Sequence, residues 1–237
     1  MTTFLKAKWE NIIMANYAVP LSVLKPYLPK GTEIDLFEDS AYVSLVGFLF
    51  RDTKLFNVKI PVLGTFSEVN LRFYVTRKEG DTLKRGVVFI NETVPYKAVA
   101  WLANKLYKEH YSVATVNYTW DINNATKKIM YKWKQYKNWN QIYIEAENKE
   151  ILMPEQSFEE FIFEHYVGYT KVNANSTEEY DINHPRWKIN KVLNYTIECD
   201  FDKNYGSDFA FLNSTKPTSV FIAEGSEIEV KWKRKKI

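Results

Sequence analysis

The pattern that constrains this chain most is the two-residue period of a β-strand. It recurs from one end to the other and gives way to a helical period in only two or three places. Residues 66–75, FSEVNLRFYV, carry it most clearly. Val69, Leu71, Phe73 and Val75 fall on one side of a strand, and Glu68, Asn70, Arg72 and Tyr74 fall on the other. Strand-like runs are also read at 3–15, 32–37, 41–50, 86–91, 113–122, 128–136, 141–147, 188–201, 218–223 and 226–233. The run 41–50, AYVSLVGFLF, scarcely alternates, as expected of a strand buried on both faces. Residues 38–40 and 79–81 read as hairpin turns, and Asn123-Asn124 as a third. Residues 51–65, with Pro61 and Gly64, break the pattern and read as a loop long enough to cover a site.

Helical signals are few. Residues 20–27 open on Pro20 and suggest a short helix. In 95–109, Ala98, Leu102 and Leu106 recur every four residues beside Val99 and Ala103. Ser157-Phe158-Glu159-Glu160 is a capping box, with the Ser hydroxyl accepting from the third amide beyond it. Many strands without βαβ alternation predict antiparallel pairing, and such a sheet avoids long bare edges by curling or closing. The expected class is α+β, mainly β, with two or three outer helices. With no linker or repeat, residues 1–237 read as one domain.

Composition narrows the function. The chain is 46% hydrophobic, 26% charged and 16% aromatic, which suits a large core. Thirty-two basic and 29 acidic residues leave a net charge of +3, too little for a strong field toward nucleic acid or membrane. The basic run 231–236 reads as a solvated terminus. Neither a signal peptide nor an apolar run of membrane-spanning length stands out, and the chain reads as cytoplasmic, its Asn-x-Ser/Thr sequons being chance matches. A homo-oligomer is left open. Cys199 is the only cysteine, so no intrachain disulfide forms; in TIECDF it reads as an inert buried thiol.

Chemistry-bearing motifs are sparse. His110, His165 and His184 show no metal-binding spacing, and no metal or cofactor is expected. There is no G-x-S-x-G elbow, P-loop or G-x-G-x-x-G. MYKWKQYKNW (130–139) interleaves aromatics with lysines, a pattern that an exposed hairpin explains as well as a base-stacking surface. The polar side of 66–75 is the main candidate. Arg72 offers a planar fork, Glu68 can accept it, and Asn70 can do both. From spacing alone, that side is either wet, with a surface ion pair of about 0–1 kcal/mol, or the wall of a pocket.

Several stretches together resemble a known family: WENIIMANYAV (9–19), LKPYLPKGTEIDLFEDSAYVSLVGF (24–48), FSEVNLRFYV (66–75), EHYVGY (164–169) and HPRW (184–187). They are similar to the uncharacterised YqjF-like bacterial proteins, domain-of-unknown-function family 2071, grouped with the acetoacetate decarboxylase-like superfamily. The resemblance spans about residues 5–200. It implies a cone-shaped, mostly antiparallel β-barrel around a cavity, with Glu68 as a cavity carboxylate. The decarboxylase uses a lysine whose pKa an adjacent lysine lowers, an effect for which that enzyme is the standard example. The matching segment here, Glu109-His110-Tyr111-Ser112-Val113-Ala114, has no lysine pair, so decarboxylation through an imine is not expected.

The expectation is therefore a polar cavity for a small carboxylate or carbonyl compound. Arg72 would clamp the anion, Glu68 and Asn70 would orient it, and Tyr74, His110 and Tyr111 would line the mouth. One alternative is a structural or interaction module in which the 68–74 face is an ionic network. Another is a lyase-like enzyme with Glu68 as acid or base.

Overall fold

The computed structural model describes residues 3–59, 63–232 and 235–237. Its strands are β1 (Thr3–Val19), β2 (Glu33–Ile34), β3 (Ala41–Leu55), β4 (Val58–Lys59), β5 (Phe66–Glu79), β6 (Thr82–Val94), β7 (Tyr111–Val113), β8 (Thr115–Ile122), β9 (Thr126–Gln135), β10 (Asn138–Leu152), β11 (Val167–Asn173), β12 (Ser176–Asn183), β13 (Lys188–Glu198), β14 (Ser219–Lys231) and β15 (Lys235–Lys236). The α-helices are α1 (Leu21–Leu24), α2 (Lys97–Tyr107), α3 (Phe158–Phe163) and α4 (Phe201–Tyr205). The fold is mainly β, as expected, and all these strands join one sheet. Pairing is antiparallel except where β6 meets β7 and β11.

Part of the sheet closes on itself. The order β12-β11-β6-β5-β3-β1-β14 becomes a ring because β12 also pairs with β14. The sheet then continues from β14 through β13, β10 and β9 to β8. β14 makes the branch. Ile222 and Ala223 pair with β13, whereas Glu229 and Val230 pair with β12. Gly225 lies between, with φ +83° and its Cα so close to β1 that a Cβ would sit 2.0 Å from the Trp9 carbonyl oxygen. A left-handed residue there lets one strand serve two neighbours in turn.

The branch gives the ring strands two different environments. Val69, Leu71, Phe73 and Val75 of β5 share a core with Ile129, Tyr131 and Trp133 of β9 and Ile142 and Ile144 of β10. The layers meet closely at Gly47, where a Cβ would lie 2.8 Å from the Tyr131 ring. Tyr131 and Trp133 are therefore core residues, whereas Lys134, Tyr136, Lys137 and Trp139 are exposed, with Lys132 Nζ 5.0 Å from the Trp139 ring. The opposite face of β5 looks into the ring, beside Met14, Val46, Phe89, Phe161 and Trp187.

Several expectations need correction. Residues 32–37 do not pair with 41–50. The tight turn at Glu38 and Asp39 reverses the chain, but β2 adds to β5 instead. The first part of the expected 51–65 loop is strand: β3 runs on to Leu55 and turns at Phe56-Asn57, both at positive φ, into β4. Residues 60–62 of that loop lie outside the described residues. The runs 218–223 and 226–233 are one strand through residue 231, because Gly225 bends it without breaking it. The basic tail keeps Lys235 and Lys236 exposed to solvent, as expected, but is tied to the sheet. β15 pairs with β12, Ile237 exchanges backbone hydrogen bonds with Thr177, and Lys235 pairs with Glu79; residues 233–234 lie outside the described residues. At α3, Ser157 Oγ accepts from the Glu160 amide (3.2 Å), but the Glu160 carboxylate turns to the Gln156 amide and Arg186 instead of closing the box.

Gly225→Ala should destabilise the fold by about 2–5 kcal/mol, combining a left-handed alanine with a clash against backbone. Urea unfolding measures this. An unchanged midpoint would show that β14 does not need the glycine to change partners.

Candidate functional site

β5 carries Glu68, Asn70 and Arg72 at alternate positions, all buried. β3 and β6 flank it, with Ser44 opposite Arg72 on one side and Glu92 opposite Asn70 on the other. The β5–β6 register slips by one residue between Leu71 and Arg72, opposite Ile90. That bulge sends Ile90 to the core between the layers, while Phe89 and Glu92 both enter the ring. Strict alternation would have grouped Glu92 with Ile90, which is why the sequence did not single it out.

The segment after α2 supplies the remaining groups. Lys108, at φ 58°, ends the helix. Glu109 then points inward, His110 outward and Tyr111 inward. Asn104 holds the segment by accepting from the Tyr111 amide (2.7 Å) and donating to its carbonyl (3.0 Å). β7 lies parallel to β6 with Tyr111 beside Glu92.

These residues border a cavity of about 350 Å³. Its walls are mainly apolar, which corrects the expected polar cavity. Its charged and most of its polar groups are Glu68, Asn70, Arg72, Glu92, Glu109, Tyr111 and Tyr180, with Thr53 and Tyr107 also on the wall. Trp101 of α2 borders the cavity and is 60% exposed, so the space reaches solvent beside that helix. Of the expected site residues, Glu68, Asn70, Arg72 and Tyr111 are brought together. Tyr74 is not. It does not line the cavity: it is packed against Phe161 and His165, with its hydroxyl 2.5 Å from Ser44 Oγ, although its ring lies 5.6 Å from the Arg72 guanidinium. His110 is exposed, since the residues on either side of it take the inward positions.

Glu68 and Arg72 do not form the expected fork. Glu68 Oε1 accepts from Asn70 Nδ2 (2.9 Å) and Oε2 from the Tyr111 hydroxyl (3.2 Å). Arg72 Nη2 makes only long contacts, 3.5 Å to Met14 Sδ and 3.4 Å to the Ile162 carbonyl. Its Nε has no hydrogen-bond partner among the described residues. Glu109 Oε1 accepts from Thr170 Oγ1 (2.6 Å) and the Tyr180 hydroxyl (2.8 Å). Glu92 Oε2 has no partner among the described residues.

Burial governs protonation here. It lifts Glu68 from 4.5 to about 7, against the opposing pull of Asn70, Tyr111 and the Arg72 charge. It lifts Glu109 to about 7 as well, with the Glu68 charge adding to the rise. Glu92 goes well above the ordinary carboxyl range through burial and the Glu68 and Glu109 charges. Elsewhere, burial lowers His165 to about 4, so its ring is neutral beside Asp35. His184 stacks on Trp187 with centroids 4.0 Å apart. Burial also raises the Cys199 thiol well above 9.0, in keeping with an unreactive sulfur. No lysine borders the cavity among the described residues.

The model of family DUF2071, described as an uncharacterized conserved protein, matches residues 6–227. The uncharacterized protein YqjF of Bacillus subtilis (strain 168) is 28% identical over 88 residues, 37% of this chain and 35% of that protein, so the match spans about a third of the relative's length. The acetoacetate decarboxylase of Legionella pneumophila superposes with a TM-score of 0.65 at 10% identity, covering 100% of this chain and 89% of that one. The enduracididine biosynthesis enzyme MppR, complexed with pyruvate, superposes with a TM-score of 0.66 at 10% identity, covering 99% and 91%. At these identities the likeness establishes a shared acetoacetate decarboxylase-like fold.

The raised carboxyls set the pH dependence of stability. Glu68 and Glu109 titrate near 7 when folded and near 4.5 when unfolded. The folded chain therefore binds more protons between those values, and stability falls as pH rises from about 4.5 through about 7. Glu68→Gln should flatten the decline in urea midpoint between about pH 5 and 8. An identical slope in wild type and variant would show that Glu68 ionises as an exposed carboxyl does.

Proposed function

The chain belongs to the DUF2071 family, and from that membership, the fold and the cavity we propose that it binds a small organic acid or carbonyl compound inside the ring, with Arg72 holding the anionic group. The observation that carries this reading is the state of Arg72. A guanidinium is buried in the cavity wall, the Glu68 carboxylate four residues before it is engaged by Asn70 and Tyr111, and its own contacts are a thioether, one long bond to a carbonyl and the Tyr74 ring 5.6 Å away. Leaving a buried charge so poorly compensated costs several kcal/mol. A carboxylate ligand would supply the missing bidentate partner. The pyruvate named with MppR is a ligand of this kind on the same fold. The rival reading, a structural ion pair that sets strand register, requires the Glu68–Arg72 contact; no such ion pair occurs among the described residues.

A thermal-shift screen of small carboxylates against wild type, Arg72→Ala and Arg72→Met tests this. At least one acid should raise the melting temperature of wild type by several degrees and of neither variant. Equal shifts in all three proteins, or none in a screen that includes 2-oxo acids, would refute the reading.

A second reading adds chemistry: Glu68 as general acid or base beside the ligand carbonyl. It is favoured by a carboxyl held near neutral pH by burial and aligned by two hydrogen bonds. Arg72 would stabilise negative charge developing on the ligand oxygen. The expected outcome is enzyme-dependent exchange of the C3 protons of pyruvate in D2O, followed by NMR, with Glu68→Gln lowering the rate about 100-fold or more. Exchange at the buffer rate would leave a binding protein without turnover.

A further inference from the structure

We propose that the acid bound here carries an aryl-sized apolar substituent, which lies along a wall that a three-carbon acid would leave uncovered. This rests on the reading of Arg72 as the anion site. A cavity of about 350 Å³ falls within the range of roughly 300–1,000 Å³ typical of pockets for larger small molecules. The polar patch occupies the part reached by β5, β6, β12 and the segment 109–111. Away from it, β1, β3 and the start of β5 present Trp9, Phe48, Phe50 and Phe66, and α2 presents Val99 and Leu102.

The four rings form a continuous array. Trp9 lies 5.0 Å from Phe48 and 5.8 Å from Phe50, Phe48 lies 5.1 Å from Phe50, and Phe50 stacks on Phe66 at 4.7 Å with 17° between planes. Faces and edges at these spacings match what a further aromatic ring prefers to pack against. They offer no hydrogen bond to a polar chain except through Trp9, whose indole nitrogen is itself buried without a partner among the described residues. Water against that wall is poorly accommodated, and an apolar group that displaced it would gain about fourfold in affinity per methylene-sized increment. Acid head and apolar substituent would thus be read by separate walls of one cavity.

Isothermal titration of propanoate, 3-phenylpropanoate and 3-phenylpropan-1-ol against the intact protein separates the two recognitions. 3-Phenylpropanoate should bind at least 10-fold tighter than propanoate and at least 10-fold tighter than the alcohol. Val99→Trp, which fills the space beside the rings, should remove most of the advantage over propanoate. Ala98→Trp, on the exposed side of α2, serves the same purpose if the first variant fails to fold. Equal affinity of the two acids would overturn the inference and leave the Arg72 reading standing. Equal affinity of 3-phenylpropanoate and the alcohol would overturn the Arg72 reading, and absence of binding by either acid would overturn both.

Discussion

A guanidinium and three carboxyl groups share one largely apolar enclosure, and the desolvation of those charges is the constraint around which the rest of this structure is arranged. An unpaired buried ion costs several kcal/mol, so each group must find a partner or hold a proton. Glu68 is held by Asn70 and Tyr111, and Glu109 by Thr170 and Tyr180. Glu92 is pushed well above the ordinary carboxyl range by burial and by the Glu68 and Glu109 charges. Arg72 is the member whose needs the protein meets least well. The surrounding sheet has to be stable enough to tolerate that unmet need.

That stability comes from the other face of the same strands. Each polar residue of β5 alternates with an apolar one locked between the ring and the β8–β10 layer, where Val69, Leu71, Phe73 and Val75 are fully buried. Trp133, also fully buried there, anchors the layer by donating its Nε1 proton to Asn204 Oδ1 at 2.8 Å. Period-two geometry makes the two functions inseparable: any slip that moved the charges out of the ring would push four apolar side chains into it. The single register slip that does occur, on β6, is local. It changes which side chains enter the ring without disturbing β5.

The segment Glu109-His110-Tyr111 supplies two of its three side chains to the cavity. Alternation sends Glu109 and Tyr111 into the cavity and His110 out. The result is a site rich in protons and hydrogen-bond donors, with no amine among its described walls. Proton transfer and anion binding are chemistries such a set can support without a covalent intermediate.

The sequence by itself determined the strand-rich class, the β5–β6 hairpin across Gly80, helix α2, the Ser157 cap and the grouping of Glu68, Asn70 and Arg72 on one face. All of these follow from short-range period, turn chemistry and capping, which neighbouring residues dictate. Tertiary structure decided which face of β5 is enclosed, that β2 pairs with β5, that β14 serves two neighbours, and that Glu92 and Glu109 join the site while Tyr74 and His110 leave it. Those outcomes depend on a bulge, a branch and a ring closure, each a contact between residues far apart in the chain, and a two-residue period reads the same whichever side the rest of the protein chooses to cover.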